Sequence, residues 1–148
     1  MDLIMTNEKL IEYAKKAREN SCAVLSGFKV GAALLDKNGE VTLGCNIEDP
    51  SGIGVTNICA ERCAIVKALS EGIRDFEKIA VVGGKSAGNE KNGKSDPDTL
   101  IFCAPCGACR QYLNSWCPSI KVVLQEDDGT IKEYSMSELL PYSFNEEF

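Results

Sequence analysis

Apolar residues recur as Leu10, Ala14 and Ala17 between positions 6 and 19, with Tyr13 beside them. Glu8, Lys9, Glu12, Lys15, Lys16 and Glu19 fall on the other side. That spacing predicts an amphipathic packing helix, with Thr6 or Asn7 as its cap. After a connection over 21–29, residues 30–35 and 40–48 read as two strands around a turn containing Asn38-Gly39, which suits a hairpin. Gly31, Ala32 and Ala33 are small for a strand, so they admit a close helix or leave room for a ligand. Loop chemistry follows over 49–54.

A second helix is predicted over 59–71, with Gly72 as its stop. Ala60, Ala64, Lys67 and Ala68 share one side, and Cys63, Val66 and Leu69 add apolar surface. Cys59 then lies in the first turn. Residues 78–82 read as a short buried strand and 83–98, rich in Gly, Ser, Asn, Lys and Asp, as an excursion. A strand can continue over 99–103. Pro105 suits the first position of a third helix, 106–116, which stops before Pro118. Strands over 120–125 and 130–134 follow, then a short helix capped by Ser135 or Ser137 and ended by Pro141. The order α, β, β, α, β, α, β, β, α predicts one domain over 1–148, a three-layer α/β/α sandwich around a mixed five-stranded sheet.

Composition narrows the chemistry. A chain of 148 residues, 44% apolar and 26% charged, can bury a core. No apolar run reaches the roughly 18–20 residues that span a bilayer, and the first residues lack the pattern of a signal peptide. The expected location is the cytoplasm, with no membrane partner. The net charge is −6 and no basic stripe is visible, so a nucleic-acid polymer is not expected as a partner. Eight cysteines accompany no histidine. A disulfide scaffold competes with reduced thiols, some of them metal ligands; the length and the lack of a secretion signal favour the thiols. Without histidine, a zinc site must use Cys with Asp or Glu, and a general base must be Glu, Asp, Lys or Tyr. Ser-His and Cys-His nucleophile schemes are excluded.

Two segments then stand out: Cys59-Ala60-Glu61-Arg62 and Pro105-Cys106-Gly107-Ala108-Cys109-Arg110-Gln111. Cys106 and Cys109, three apart on a helix, can face one ion. Cys59 starts another helix, and two converging helix N-termini would stabilise thiolates. Three protein ligands leave a fourth position for water, the pattern of a catalytic site. Three thiolates on a dication leave a charge near −1, which Arg62 can offset by donating to sulfur. Glu61 is placed to move a proton from the water to a substrate. Each feature has a plainer reading. A lone C-x-x-C can be a redox pair, Glu61 a solvated helix carboxylate, Cys63 a small core residue, and Asn46 and Glu48 two polar residues at a strand end.

With these motifs in hand, the chain resembles the cytidine deaminase family in its small homotetrameric, three-cysteine zinc form. The two segments match that family's paired signature. So do Phe28-Lys29-Val30-Gly31-Ala32-Ala33-Leu34-Leu35, Gly44-Cys45-Asn46-Ile47-Glu48 and Glu138-Leu139-Leu140-Pro141. The resemblance implies one zinc per chain on Cys59, Cys106 and Cys109, and attack of activated water on C4 of cytosine. Glu61 would shuttle protons to N3 and the leaving amine. It further implies that Asn46 and Glu48 hold the ribose 3′-hydroxyl, that the Ala60 backbone contacts the base and the Ala104 carbonyl the amine, and that Phe28 walls the pocket. Phe144 resembles the aromatic that closes a neighbouring subunit's site. Hydrolytic deamination of cytidine or 2′-deoxycytidine, in pyrimidine salvage, is the implied activity.

The chain also departs from that family. Cys22-Ala23-Val24-Leu25-Ser26 replaces the usual Tyr-x-Pro-Tyr-Ser, and the 49–55 loop is longer and lacks its usual Tyr. The 83–98 excursion is longer than the common form. These changes surround the substrate and subunit contacts and leave the metal motif intact. Two alternatives follow: a deaminase of a modified cytosine compound such as blasticidin S, against which Glu48 beside Asn46 argues, and a non-catalytic zinc or redox protein, against which Glu61 argues.

Overall fold

A mixed sheet of five strands forms the frame of the computed structural model, which describes residues 4–87, 90–91, 94–95 and 98–144. Its strands are β1 (Phe28–Asp36), β2 (Val41–Cys45), β3 (Phe76–Lys85), β6 (Lys121–Gln125) and β7 (Ile131–Ser135). β4 (Glu90–Lys91) and β5 (Lys94–Ser95) form a separate antiparallel pair within the excursion. The main sheet runs β2-β1-β3-β6-β7. β3 and β6 are parallel, and the other neighbours are antiparallel.

Alternation along the strands divides the core into two layers. Ala33, Leu35, Ala80, Val82 and Val123 face helix α1 (Asn7–Arg18) through Leu10, Ile11 and Ala14. Ala32, Leu34, Ile79, Val81, Val122 and Leu124 face the opposite side. There they meet α2 (Ala60–Ser70), α3 (Gly107–Trp116) and α4 (Met136–Leu139) through Ala60, Ala64, Ile65, Ala68, Leu113, Met136 and Leu139. The three-layer sandwich expected from the element order is the fold observed.

Close approaches explain the small strand residues. A Cβ at Gly31 would lie 2.0 Å from the Ala14 carbonyl oxygen, and one at Gly44 2.5 Å from that of Ala60. Gly31 therefore seats α1, and Gly44 seats the first turn of α2 on the other face.

Of the two expected caps, Thr6 is the one that caps α1, accepting from Lys9 N. Several other expectations need correction. Ile11 and Arg18 join the buried face of α1, while Tyr13 stays 40% exposed. On α2 the buried stripe runs through Ile65; Val66 and Lys67 are exposed, and Lys67 Nζ donates to the Leu43 carbonyl. β2 ends at Cys45, short of Asn46 and Glu48, because Ile47 bridges Cys22 and Ile58 instead. β3 continues to Lys85. The 99–103 stretch is no strand: only Ile101 bridges, to Gly83. Residues 88–89, 92–93 and 96–97 of the excursion, like 1–3 and 145–148, lie outside the described residues.

Buried Arg18 closes the base of the excursion. It donates from Nε to the Lys29 carbonyl (2.9 Å) and from Nη2 to the carbonyls of Gly84 (3.0 Å) and Lys85 (3.2 Å), and pairs with Asp98 at 2.7 Å. The Asp98 carboxyl is held below the usual carboxylate range by that guanidinium.

Candidate active site

α2 and α3 start at one place, and each starts on a cysteine. Cys59 (φ −75°, ψ 154°) and Cys106 (φ −66°, ψ 168°) have the extended backbone of an N-cap, not the helical backbone of a first turn. Pro105 therefore precedes the cap instead of occupying the first helical position. An N-cap side chain ordinarily accepts a hydrogen bond from its helix; neither sulfur does so. Both are left for another partner. Cys109 is the third residue of α3, where a side chain faces the one at the N-cap. The helix N-termini add partial positive charge at the same point.

The three sulfurs lie within 4.8 Å of one another, with Cys59 and Cys106 Sγ 3.7 Å apart. Tetrahedral zinc with Zn–S bonds of about 2.3 Å separates its sulfurs by about 3.8 Å. The donor set therefore fits zinc without rearrangement at that pair. Among the described residues no fourth Cys, Asp or Glu joins the group, which leaves a coordination position open. A bond from the Cys109 thiol, with Arg62 and Cys106 assisting, holds Cys59 well below the usual thiol range, at about 5. The same bond, together with burial, pushes Cys109 up. Arg62 Nη2 donates to Cys59 Sγ at 3.4 Å, and its Nε is buried without a hydrogen-bond partner among the described residues. A fixed cation thus lies against the Cys59 sulfur and offsets part of its charge.

Glu61, the second residue of α2, is 3% exposed. Burial pushes its carboxyl above the usual range, and the nearby Cys59 charge adds to this. Hydrogen bonds from Cys109 and from its own backbone oppose the shift. Glu61 lines an open cavity of about 240 Å³ with Val30, Asn46, Glu48, Ile58, Cys59 and Ala60. Asn57, Cys103, Ala104 and Cys106 complete the wall. A buried carboxylate beside an open metal position, at the end of a cavity with apolar walls, can accept a proton from water and return it to a bound ring.

The other candidate residues divide into two groups. Ala60 and Ala104 line the cavity, as do Asn46 and Glu48. The Asn46 amide, however, is already engaged. Its Nδ2 donates to the Phe28 carbonyl (2.8 Å), and its Oδ1 accepts from Val30 N (2.9 Å) and from the Ser21 hydroxyl. Asn46 thereby fixes the start of β1. Glu48 accepts from Leu25 N (2.8 Å), Ser26 N (3.0 Å) and Ser26 Oγ (2.7 Å). The Ser26 N–H is the main cause of its carboxyl lying below the usual range. Phe28 is half-buried behind the lining residues, against Gly83. Phe144 is 65% exposed and does not line its own chain's cavity.

Residues 5–125 match the family model described as the cytidine and deoxycytidylate deaminase zinc-binding region. The chain belongs to this deaminase family. It is 46% identical over 144 residues to a cytidine deaminase of Halalkalibacterium halodurans, covering 97% of each chain. With a cytidine deaminase of Sporosarcina psychrophila the identity is 43% over 144 residues, covering 97% of this chain and 94% of that one. The 1.6 Å crystal structure of cytidine deaminase from Burkholderia pseudomallei superposes with a TM-score of 0.77 at 42% identity, over 95% of this chain and all of that one.

Four wall residues of this deaminase-family chain escaped sequence reasoning: Val30, Asn57, Ile58 and Cys103. Asn57 and Ile58 immediately precede Cys59, so adjacency to the motif was the available signal. Asn57 Oδ1 accepts from Asp49 N (2.6 Å), and Asp49 accepts from Ser51 N (2.8 Å), which draws the 49–57 loop closed beside the cavity. Burial pushes the Cys103 thiol up to about 11, so it stands in the wall as a neutral group.

Proposed function

We propose that the chain hydrolyses the 4-amino group of cytidine and 2′-deoxycytidine, giving uridine or 2′-deoxyuridine and ammonia. The single observation that carries this reading is Glu61, buried in the cavity beside the Cys59, Cys106 and Cys109 sulfurs. Those three residues would hold one zinc ion. When bound, zinc supplies the Lewis acidity that activates water at neutral pH. Glu61 takes one proton from this water as its oxygen adds to C4 and delivers that proton to N3. It then takes the remaining proton of the added hydroxyl and passes it to the amine as the C4–N bond breaks and ammonia departs. Ala60 and the Ala104 carbonyl orient the base. Arg62 keeps the thiolate charge in check.

Asn46 and Glu48 hold the sugar. Their position in the cavity wall supports a nucleoside over a sugar-free or antibiotic substrate. The Asn46 amide already holds β1 and the Glu48 carboxylate already holds residues 25–26, which leaves the second Nδ2 hydrogen of Asn46 and Oε2 of Glu48 for the 3′-hydroxyl. Phe28 supports the wall from behind. Exposed Leu25, Ile53, Val55 and Phe144 support assembly into a homotetramer in which Phe144 reaches a neighbour's site. A cytoplasmic enzyme of pyrimidine salvage is consistent with a chain in which no described helix is long and apolar enough to cross a membrane.

An ultraviolet assay of ammonia loss tests the reading against cytidine, 2′-deoxycytidine, cytosine, cytidine monophosphate and blasticidin S. Turnover of both nucleosides, with little of the other three, is the expected result. Preference for blasticidin S would replace this reading, and no turnover of any compound would overturn it.

A further inference from the structure

We propose that Cys103 sets the size of pyrimidine the cavity accepts, in a packing unit with Gly83 and Phe28. This inference rests on the nucleoside reading and adds a determinant of specificity to it.

The geometry starts from β3. Gly83 follows Val81 by two residues and shares its face, the side of the sheet that carries α2 and the cavity. A Cβ built at Gly83 would lie 2.7 Å from Cys103 Sγ, 3.2 Å from Cys103 Cβ and 3.0 Å from Phe28 Cε1. The missing side chain is thus the recess in which the Cys103 sulfur and the edge of the Phe28 ring sit together. Cys103 also lines the cavity, with Glu61 and Ala104 among its neighbours in the wall. Anything added at Gly83 must displace sulfur and ring, and the open direction is the cavity. Anything removed from Cys103 enlarges the cavity without touching the metal cluster, which Cys103 does not join.

Cys103 directly precedes Ala104, the residue proposed to meet the exocyclic amine on C4. Of the two ring positions beside C4, N3 is the one assigned to Glu61, so we place the Cys103 side chain, in the same wall, against C5, where it limits what can be attached. Because the limit is volume and not thiol chemistry, serine should reproduce it and alanine should relax it.

The test uses zinc-loaded enzyme and the ratio of kcat/KM for 5-methylcytidine to that for cytidine. Cys103→Ala is expected to raise this ratio by about tenfold or more, the scale of one methyl group in an apolar pocket. Cys103→Ser should leave it near the wild-type value. Gly83→Ala is expected to lower kcat/KM for cytidine by about tenfold or more, and Gly83→Ala combined with Cys103→Ala should recover most of that loss. Should Gly83→Ala fail to fold, Cys103→Leu, which fills the cavity from the wall, is expected to raise KM for cytidine and to exclude 5-methylcytidine. An unchanged ratio in Cys103→Ala, or an equal rise in Cys103→Ser, overturns the inference while wild-type turnover of cytidine stands. A wild-type enzyme inactive on cytidine would instead sink the functional reading itself.

Discussion

Arg110 offers the most direct test of how the metal loop is held. Its Nε donates to the Pro105 carbonyl at 2.8 Å and its Nη1 to the Leu139 carbonyl at 2.7 Å. The side chain thus ties the residue before Cys106 to the end of α4. Each bond comes from a charged donor, and such bonds contribute roughly 1.5–3 kcal/mol when buried. Arg110 is only half-buried, so water would rescue part of each carbonyl in Arg110→Met, and the low end applies. Two bonds then give a loss of about 3 kcal/mol. For a chain of this size that lowers Tm by roughly 6–12 °C. Arg110→Lys can reach one carbonyl but not both, so about half the loss should remain.

The assay is thermal unfolding of metal-free and zinc-loaded protein, with zinc release to a chromogenic chelator followed in parallel. Metal-free protein reads the two hydrogen bonds alone. Zinc-loaded protein should lose more, because a loosened Pro105–Cys106 backbone weakens a ligand and metal affinity adds to folding stability. Release should quicken in the order wild type, lysine, methionine. A methionine variant that melts within 1 °C of wild type, or releases zinc at the wild-type rate, would refute the anchoring role.

Three further outcomes are expected. Glu61→Gln should keep zinc and lose roughly 10²–10⁴-fold in kcat; near-normal turnover would contradict its role as proton carrier. Purified protein should carry about one zinc per chain, and a chelator should abolish activity while freeing three thiols to titration; active metal-free protein would sink the mechanism. Because the Ser26 N–H holds the Glu48 carboxyl below the usual range, Glu48 stays charged as pH falls through that range. KM for cytidine should therefore stay flat there and rise only at lower pH, and any stability this carboxylate contributes is lost over that same lower window. In Glu48→Gln the KM is high at every pH, and an acid limb that survives this change would belong to another group.

The parts of the fold set by repeating pattern were legible in the chain. Leu10 and Ala14, or Leu34 and Val123, are buried because their spacing matches a helix face or a strand face. The thiol triad was legible because the absence of histidine left few donor sets. What periodicity could not reveal depends on single tertiary contacts. Arg18 is a charged residue in a helix, and carbonyls brought together from β1 and β3, with the Asp98 carboxylate, make its burial tolerable. Asn46 looked like a free strand-end amide, but it holds the Phe28 and Val30 backbone. Residues 99–103 have strand-like composition, yet they bond to β3 through Thr99 N and Ile101 N, which donate to the Lys85 and Gly83 carbonyls, and only Ile101 forms a bridge.

The N-cap placement of Cys59 and Cys106 links the scaffold to the chemistry. On sequence alone both cysteines fit a first turn, and a sulfur there would lean back along its own helix. At the N-cap the backbone is extended and the sulfur is released forward, so two helices can each present a thiol to one point. That geometry requires the start of α2 to be held in place, and Gly44 holds it. The Ala60 carbonyl oxygen sits 2.5 Å from where a Gly44 Cβ would be, with Ala64 N equally near, so β2 touches the first turn of the helix directly. Cys59 and Glu61 flank Ala60 on either side. The close approach of strand to helix therefore fixes the backbone on either side of Ala60, which carries the proposed metal ligand Cys59 and the proposed proton carrier Glu61.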